Sequence, residues 1–195
     1  FPGRIRVEVR PLGHPLQGDV SSLLKVVEDF EYADGSMPVT FEDPPEVPSS
    51  SISVRNAKAE ELANTSSLFP ANWLPVLKLI YEFNCLTGEQ IEIITGIGKS
   101  GVSKRMNLWL KNGVVRGMKI GRRRVWFLTD LGARTGRHIR SRSGPLIPYE
   151  PGKGEDGQFE ATRKWTPRNN PNHRPVIHDL HVASYALQFA SLCDG

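Results

Sequence analysis

Between residues 72 and 113 the sequence carries three short helical patterns in close succession, and this succession limits the fold more than any other feature. The first pattern follows Asn72, where apolar residues keep helical spacing and Pro75 falls in the first turn, in which proline is tolerated. The second begins at Thr87-Gly88-Glu89-Gln90, which has the form of a capping box. Both patterns predict short helices that turn an apolar side towards a shared core.

The third pattern and the residues after it complete the arrangement. A helix opens at Lys99 or Ser100, and Gly113 ends it where a left-handed residue is needed. Two strands with a basic hairpin tip between them follow (114–118, 124–128 and 119–123). Three helices followed by such a hairpin predict a winged helix-turn-helix, in which the hairpin is the wing.

The predicted fold class is α+β, and the chain divides into four segments. These are a small acidic α+β module of unknown role (1–48), a linker (49–71), the winged helix-turn-helix (72–142) and a loop with a C-terminal helix (143–195). Inside the linker, residues 52–54 are predicted as a short strand and residues 57–63 as a helix.

The C-terminal helix is predicted from about residue 177 to residue 192, with one apolar stripe as its packing face. The stripe consists of Val182, Tyr185, Ala186, Phe189 and Ala190. The stripe suits a homodimer contact as well as it suits packing inside the chain.

Charge is distributed very unevenly along the chain. Residues 1–71 hold 11 acidic and 6 basic side chains, whereas residues 99–142 hold 13 Lys or Arg and a single acid, Asp130. A segment this basic repels itself unless it faces a polyanion, of which nucleic acid is the commonest. The central segment is therefore expected to bind double-stranded DNA.

The third helix of such a domain lies in the major groove, and its exposed polar residues reach the base edges. The candidates are Lys99, Ser100, Ser103, Lys104, Asn107 and Lys111. Asn107 can pair in bidentate fashion with adenine, and Lys104 can reach guanine or a phosphate. We expect this face to lie opposite the buried side of the helix, which Val102, Met106 and Trp109 form.

The wing is expected to contact the DNA backbone or to enter the minor groove. Its candidate residues are Arg116, Lys119, Arg122, Arg123 and Arg124. The basic stripe continues further along the chain. Its members there are expected to contact phosphates or to form a flexible basic extension, and they are Arg134, Arg137, Arg140 and Arg142.

Two stretches of the chain resemble known families. The sequence Leu128-Thr129-Asp130-Leu131-Gly132 is similar to the exit from the wing in many bacterial winged-helix proteins, whose pattern is leucine, threonine, two residues, glycine. Residues 172–183, Asn-His-Arg-Pro-Val-Ile-His-Asp-Leu-His-Val-Ala, resemble the helix that follows the wing in replication-relaxation proteins of plasmids and integrated mobile elements.

That resemblance runs from residue 72 to the C-terminus and covers none of the first 71 residues. It implies DNA binding by the winged helix in plasmid or mobile-element replication, transfer or regulation. In that family the helix is followed by further strands of an α/β domain, whereas this sequence ends at Gly195, so no activity of that further domain is carried over.

Catalysis is the first rival interpretation. His178 and His181, with Asp179 between them, could ligate a metal from one helix face, but they supply only two histidine ligands. The run from Gly96 to Ser100 resembles a phosphate-binding loop only in part, because it lacks the first glycine and follows a helix. We therefore predict no metal, no cofactor and no enzymatic activity.

The second rival is an adaptor, in which the winged helix, the N-terminal module or the last helix contacts a protein partner. Cys85 and Cys193 have no spacing typical of a metal knuckle, which favours reduced thiols inside a cell. No apolar run reaches the length of a membrane span. A cytoplasmic protein without a membrane partner is the expectation.

Overall fold

The computed structural model describes residues 39–45, 51–120, 122–141, 144–147 and 174–193. These residues form six α-helices and six strands, so the predicted α+β class is confirmed. The helices are α1 (Ile52–Ala63), α2 (Leu74–Phe83), α3 (Gly88–Thr95), α4 (Lys99–Lys111), α5 (Asp130–His138) and α6 (Arg174–Cys193), with a 3-10 turn at Ala71–Trp73. The strands are β1 (Val39–Glu42), β2 (Cys85–Thr87), β3 (Val115–Ile120), β4 (Arg123–Leu128), β5 (Arg140–Ser141) and β6 (Gly144–Pro145).

Four strands form one antiparallel sheet in the order β1-β3-β4-β2, and β5 pairs with β6 in a separate ladder. From α2 to β4 the chain runs helix, strand, helix, helix and then a two-stranded hairpin. This is the order of a winged helix-turn-helix, so β3 and β4 are the wing and α4 is its third helix. β1 lies on the outer edge of the wing, on the far side of β3 from β4.

The two faces of the sheet pack against different helices. Leu86 and Trp126 lie opposite each other and join the main core, which also contains the buried sides of α1 to α4. Cys85 and Phe127 point to the other face, where Val176 and Leu180 of α6 cover them. Burying both faces stabilises the sheet through the removal of apolar surface from water.

The start of α3 follows the predicted capping box. Thr87 Oγ1 accepts from the Gln90 amide at 3.2 Å, and Gln90 Oε1 accepts from the Thr87 amide at 2.8 Å. The side-chain nitrogen Nε2 of Gln90 donates to the carbonyl oxygen of Leu180 and to Ser184 Oγ in α6. One buried side chain therefore caps α3 and anchors the C-terminal helix.

Two side chains of α4 fix this helix to the segment before α2. Trp109 Nε1 donates to the carbonyl oxygen of Leu68 at 2.9 Å, and its ring lies against Trp73 and Phe69. Arg105 donates to the carbonyl oxygen of Ser67 at 2.6 Å and stacks over Trp73. The orientation of α4 is thus set on its inner side.

The exit from the wing shows why its sequence pattern has a glycine. Thr129 caps α5 by accepting from the Gly132 amide at 2.9 Å. A Cβ atom on Gly132 would lie 2.0 Å from the carbonyl oxygen of Val114. Only glycine lets the first turn of α5 approach the start of β3 this closely.

Three predictions about the chain near the winged helix are wrong. Residues Ile52–Val54 are not a strand but the first turn of α1. The segment 51–71 is not a free linker, because Ala59, Leu62, Leu68 and Phe69 are buried in the main core. The hairpin tip is shorter than predicted, since β3 continues to Ile120 and β4 already begins at Arg123.

The predicted packing face of the C-terminal helix is also wrong. Val182, Tyr185 and Phe189 remain 45%, 49% and 57% exposed, and Ala190 is the one buried member of the predicted stripe. The helix packs instead through Val176, Leu180, Ala183 and Leu187. Both sets repeat at helical spacing, so the periodicity alone does not tell which one the sheet covers.

Some predictions lie outside the described residues. They concern residues 1–38 of the acidic module, residues 148–173 of the loop before the C-terminal helix, and Arg142. The described end of the acidic segment, Val39–Glu42, belongs to the sheet of the winged helix rather than to a separate module.

Candidate nucleic-acid interface

The outer side of α4 carries an exposed polar stripe. Ser100, Ser103, Lys104, Asn107 and Lys111 are all exposed, and at 3.6 residues per turn they span an arc of about 100°. Val102, Met106 and Trp109 are buried on the opposite side, as predicted. Lys99 is also exposed but lies to one side of the stripe, at the start of the helix. The structure therefore brings together five of the six predicted residues of this helix on one surface, which we call the α4 stripe.

The basic residues of the wing divide between its two faces, because side chains alternate along a strand. Lys119 and Arg124 are register partners and lie on the face of Trp126, beside α4. Arg116 is the register partner of Phe127, so it lies on the opposite face. Arg123 likewise alternates with Arg124 and reaches Glu89 of α3 at 3.6 Å. The wing is therefore not a single basic surface.

Arg124 joins the wing to the α4 stripe. Its Nη1 donates to Asn107 Oδ1 at 3.2 Å, its Nη2 donates to Glu42 Oε1 at 2.8 Å, and its guanidinium stacks on the ring of Trp126. The planar guanidinium holds these partners in fixed directions, which an ammonium group would not do. The orientation of Asn107, the best candidate for reading a base, thus depends on the wing.

Acidic residues of the N-terminal segment pair with three of the predicted DNA-binding residues. Glu42 Oε1 lies 3.0 Å from Lys119 Nζ as well as accepting from Arg124. Asp43 forms an ion pair with Arg116. Burial raises the pKa of Glu42, but hydrogen bonds from Lys119 and Arg124 outweigh it, so this pKa lies below its ordinary value.

Four predicted cations form no salt bridge within the described ranges. They are Lys99, Lys104 and Lys111 on α4 and Arg122 at the hairpin tip, and all four are exposed. Exposed lysine and arginine side chains that are not held in a salt bridge are suited to phosphate contacts. Of the four, Lys99 also interacts electrostatically with Glu92 of α3.

Arg134 of α5 was predicted to extend the basic stripe, but it is not part of an exposed basic surface. Its side chain is only 4% exposed, and it donates to Asp130 at 2.9 Å and to Asn56 of α1 at 2.7 Å. Arg134 therefore joins α5 to α1 and does not face a phosphate. Arg140 is exposed and stays a candidate.

Glu42 and Asp43 were missed as members of this surface. The sequence places them in a separate acidic module. The contact between Glu42 and Arg124 joins residues that are 82 positions apart in the chain. The signal that could have found it is the combination of a short strand, an adjacent acidic pair and a basic hairpin that needs an edge partner.

His178 and His181 are not part of a metal site within the described ranges. His178 is 76% exposed and lies 3.6 Å from Asp179 Oδ1, and Asp179 Oδ2 accepts from the side-chain nitrogen of Asn84 at 2.8 Å. Among the described residues no group of three or more His, Cys, Asp or Glu side chains could hold a metal ion. The thiol of Cys85 is buried, and burial together with the charge of Asp179 raises its pKa well above the ordinary value.

Comparison with known protein families, curated proteins and solved structures finds no match for this chain. In the part of the chain that the structure describes, no helix is both long and apolar enough to cross a membrane.

Proposed function

We propose that this protein binds double-stranded DNA through its winged helix, with the α4 stripe in the major groove and the wing beside it. The observation that carries the proposal is the α4 stripe itself. It places two lysines, two serines and an asparagine on the outer side of a helix whose inner side is anchored by Trp109 and Arg105. These are residue types that contact base edges and phosphates.

The charge of the surface supports the same function. Lys99, Lys104, Lys111 and Arg122 are exposed cations on one helix and on the tip of the adjacent hairpin, and duplex DNA carries the phosphates that would neutralise them. Residues of α4 would supply sequence preference, whereas Arg122 would mainly position the protein on the backbone.

The biological setting that we propose is plasmid or mobile-element replication, transfer or regulation in a bacterial-type cytoplasm. It rests on the resemblance of residues 172–183 to replication-relaxation proteins. Sequencing of genomic fragments captured by the purified chain tests it. Clustering at a mobile-element origin or promoter is expected, and a random distribution would contradict the setting and any site preference.

An adaptor function is the second candidate, and one observation favours it. Val182, Tyr185 and Phe189 of α6 form an exposed apolar row, which is a surface type found at protein interfaces. This row and the α4 stripe belong to different helices, so substitutions can separate the two functions.

Fluorescence anisotropy of a labelled random-sequence duplex tests DNA binding itself. The logarithm of the binding constant should fall linearly with the logarithm of salt concentration, because each neutralised phosphate releases condensed counterions. Four exposed cations predict a slope of about −3 to −4. Binding that does not change between low and physiological salt, or no binding at low salt, would contradict the proposal.

A further inference from the structure

β1 forms the outer edge strand beside the wing, and the last residue of β1 is acidic. Its four residues pair with β3 in the register Val39 to Ile120 and Glu42 to Gly117. β3 is the only strand of the sheet that β1 contacts within the described chain, because β1 stands at the end of the strand order. An edge strand has one neighbour, so it opens at a lower free-energy cost than the central strands of a sheet.

The carboxylate of Glu42 lies on the face of the wing that is turned towards α4. Its register partner Gly117 is in turn paired with Trp126, so Glu42 lies on the face of Trp126, where Lys119 and Arg124 also lie. The side chain accepts from both of these cations, at 3.0 and 2.8 Å. Glu42 therefore occupies the position in which a DNA phosphate would meet the two residues.

Gly117 makes this position accessible to the carboxylate. A Cβ atom on Gly117 would lie 3.1 Å from Glu42 Oε2 and 3.2 Å from Glu42 Cβ, closer than ordinary packing allows. The missing side chain lets Glu42 extend over β3 to Lys119 on that strand and to Arg124 on β4.

Asp43 pairs with a residue on the other face of the wing from the partners of Glu42. Its partner Arg116 lies on the opposite face of the wing, with Phe127, and only 13% of the Arg116 side chain is exposed. This ion pair attaches the end of β1 to β3 without occupying the face beside α4. Two adjacent acids thus contact the wing from opposite sides.

We propose that Glu42 is an intramolecular competitor for DNA phosphate at the wing. The inference rests on the proposed function, because it concerns the same surface. Carboxylate and phosphate oxygens bind arginine through the same charge-assisted hydrogen bonds. DNA that engages Lys119 and Arg124 must displace the Glu42 carboxylate, so β1 lowers the affinity of the wing for any duplex until it is moved aside.

The test compares Glu42→Gln with two variants that change the charge equally, Asp43→Asn and Glu61→Gln. Gln keeps the size of the side chain and can still accept hydrogen bonds, and Glu61 lies on the exposed side of α1, where it pairs with Lys58. Equilibrium unfolding of all three variants checks that they fold. Binding to a random-sequence duplex is then measured over a series of salt concentrations.

Glu42→Gln should bind more tightly than the wild type and steepen the salt dependence by up to about 2 units, since two cations become available. Asp43→Asn and Glu61→Gln should keep the wild-type slope. Equal slopes in all four proteins would overturn the inference while leaving DNA binding in place. A rise of the same size in Asp43→Asn would also overturn it, because general loosening of β1 would then be the cause. Absence of binding by every protein would remove the proposed function and this inference with it.

Discussion

Arg124 of the wing donates a hydrogen bond of 3.2 Å to Asn107 of α4, so the residue best suited to read a base is held by the hairpin beside it. We therefore expect the wing to influence sequence preference as well as overall affinity. Arg122 differs from Arg124 in this respect, because it is exposed at the hairpin tip and makes no contact with Asn107 in the described chain.

Replacing Arg124 by Lys tests this coupling because it keeps the charge and removes the guanidinium fork. The ratio of affinities for a captured genomic site and a random duplex should fall, while the salt slope should stay near the wild-type value. Anisotropy competition measures both. Arg122→Lys is the matched control and should leave the ratio unchanged; a loss of equal size there would argue against a role of Arg124 in positioning Asn107.

Asn107→Ala should act on specificity alone. If the amide pairs with a base, its loss costs about 1–3 kcal/mol on the preferred site and little on random DNA. The same competition assay gives the two values. A variant that keeps full site preference would show that Asn107 does not read a base.

Gly132→Ala should destabilise the fold by about 1–3 kcal/mol, because the new Cβ would meet a backbone carbonyl oxygen and not the end of a flexible side chain. Gly88→Ala is the matched control, since nothing lies within 4 Å of the Cβ position there. It should be neutral or stabilise α3 by about 0.4–1 kcal/mol. Urea unfolding measures both, and equal effects would contradict the close approach of α5 to β3.

Much of the helical part of this fold could be predicted because its signals are local. The capping box at Thr87, the left-handed Gly113 and the cap at Thr129 each depend on residues within a few positions. The separation of Arg123 from Arg124 could also have been predicted, because neighbouring residues of a strand point to opposite faces.

The errors have a common physical cause, which is contact between distant parts of the chain. The role of β1 depends on pairing with β3 some 80 residues later. The apolar row of Val182, Tyr185 and Phe189 has the same spacing as the buried face of α6, and only the position of the sheet decides between them. Local periodicity contains no information of this kind.

The ion pairs of Glu42 predict a pH-dependent contribution to stability. Because its pKa is lowered in the folded protein from an ordinary value of 4.5, the contribution is fully present above about pH 4.5 and is lost as the pH falls through the lower folded value. The difference in free energy of unfolding between the wild type and Glu42→Gln should therefore be constant from pH 7 to 5 and shrink below pH 4.5. Urea unfolding at each pH measures it, and a difference that persists unchanged to pH 3 would be inconsistent with these ion pairs.

The most direct test of DNA binding through the α4 stripe compares two variants. One lacks two lysines of the stripe, and the other lacks two lysines elsewhere on the protein. Lys104→Ala/Lys111→Ala alters the stripe, whereas Lys58→Ala/Lys78→Ala makes the same charge change on α1 and α2, where each lysine pairs with a glutamate of its own helix. Anisotropy with a random duplex over a salt series should show a slope reduced by about 2 units in the first variant and a nearly unchanged slope in the second. Equal slopes in the two variants would contradict the assignment of the α4 stripe as the DNA-binding surface.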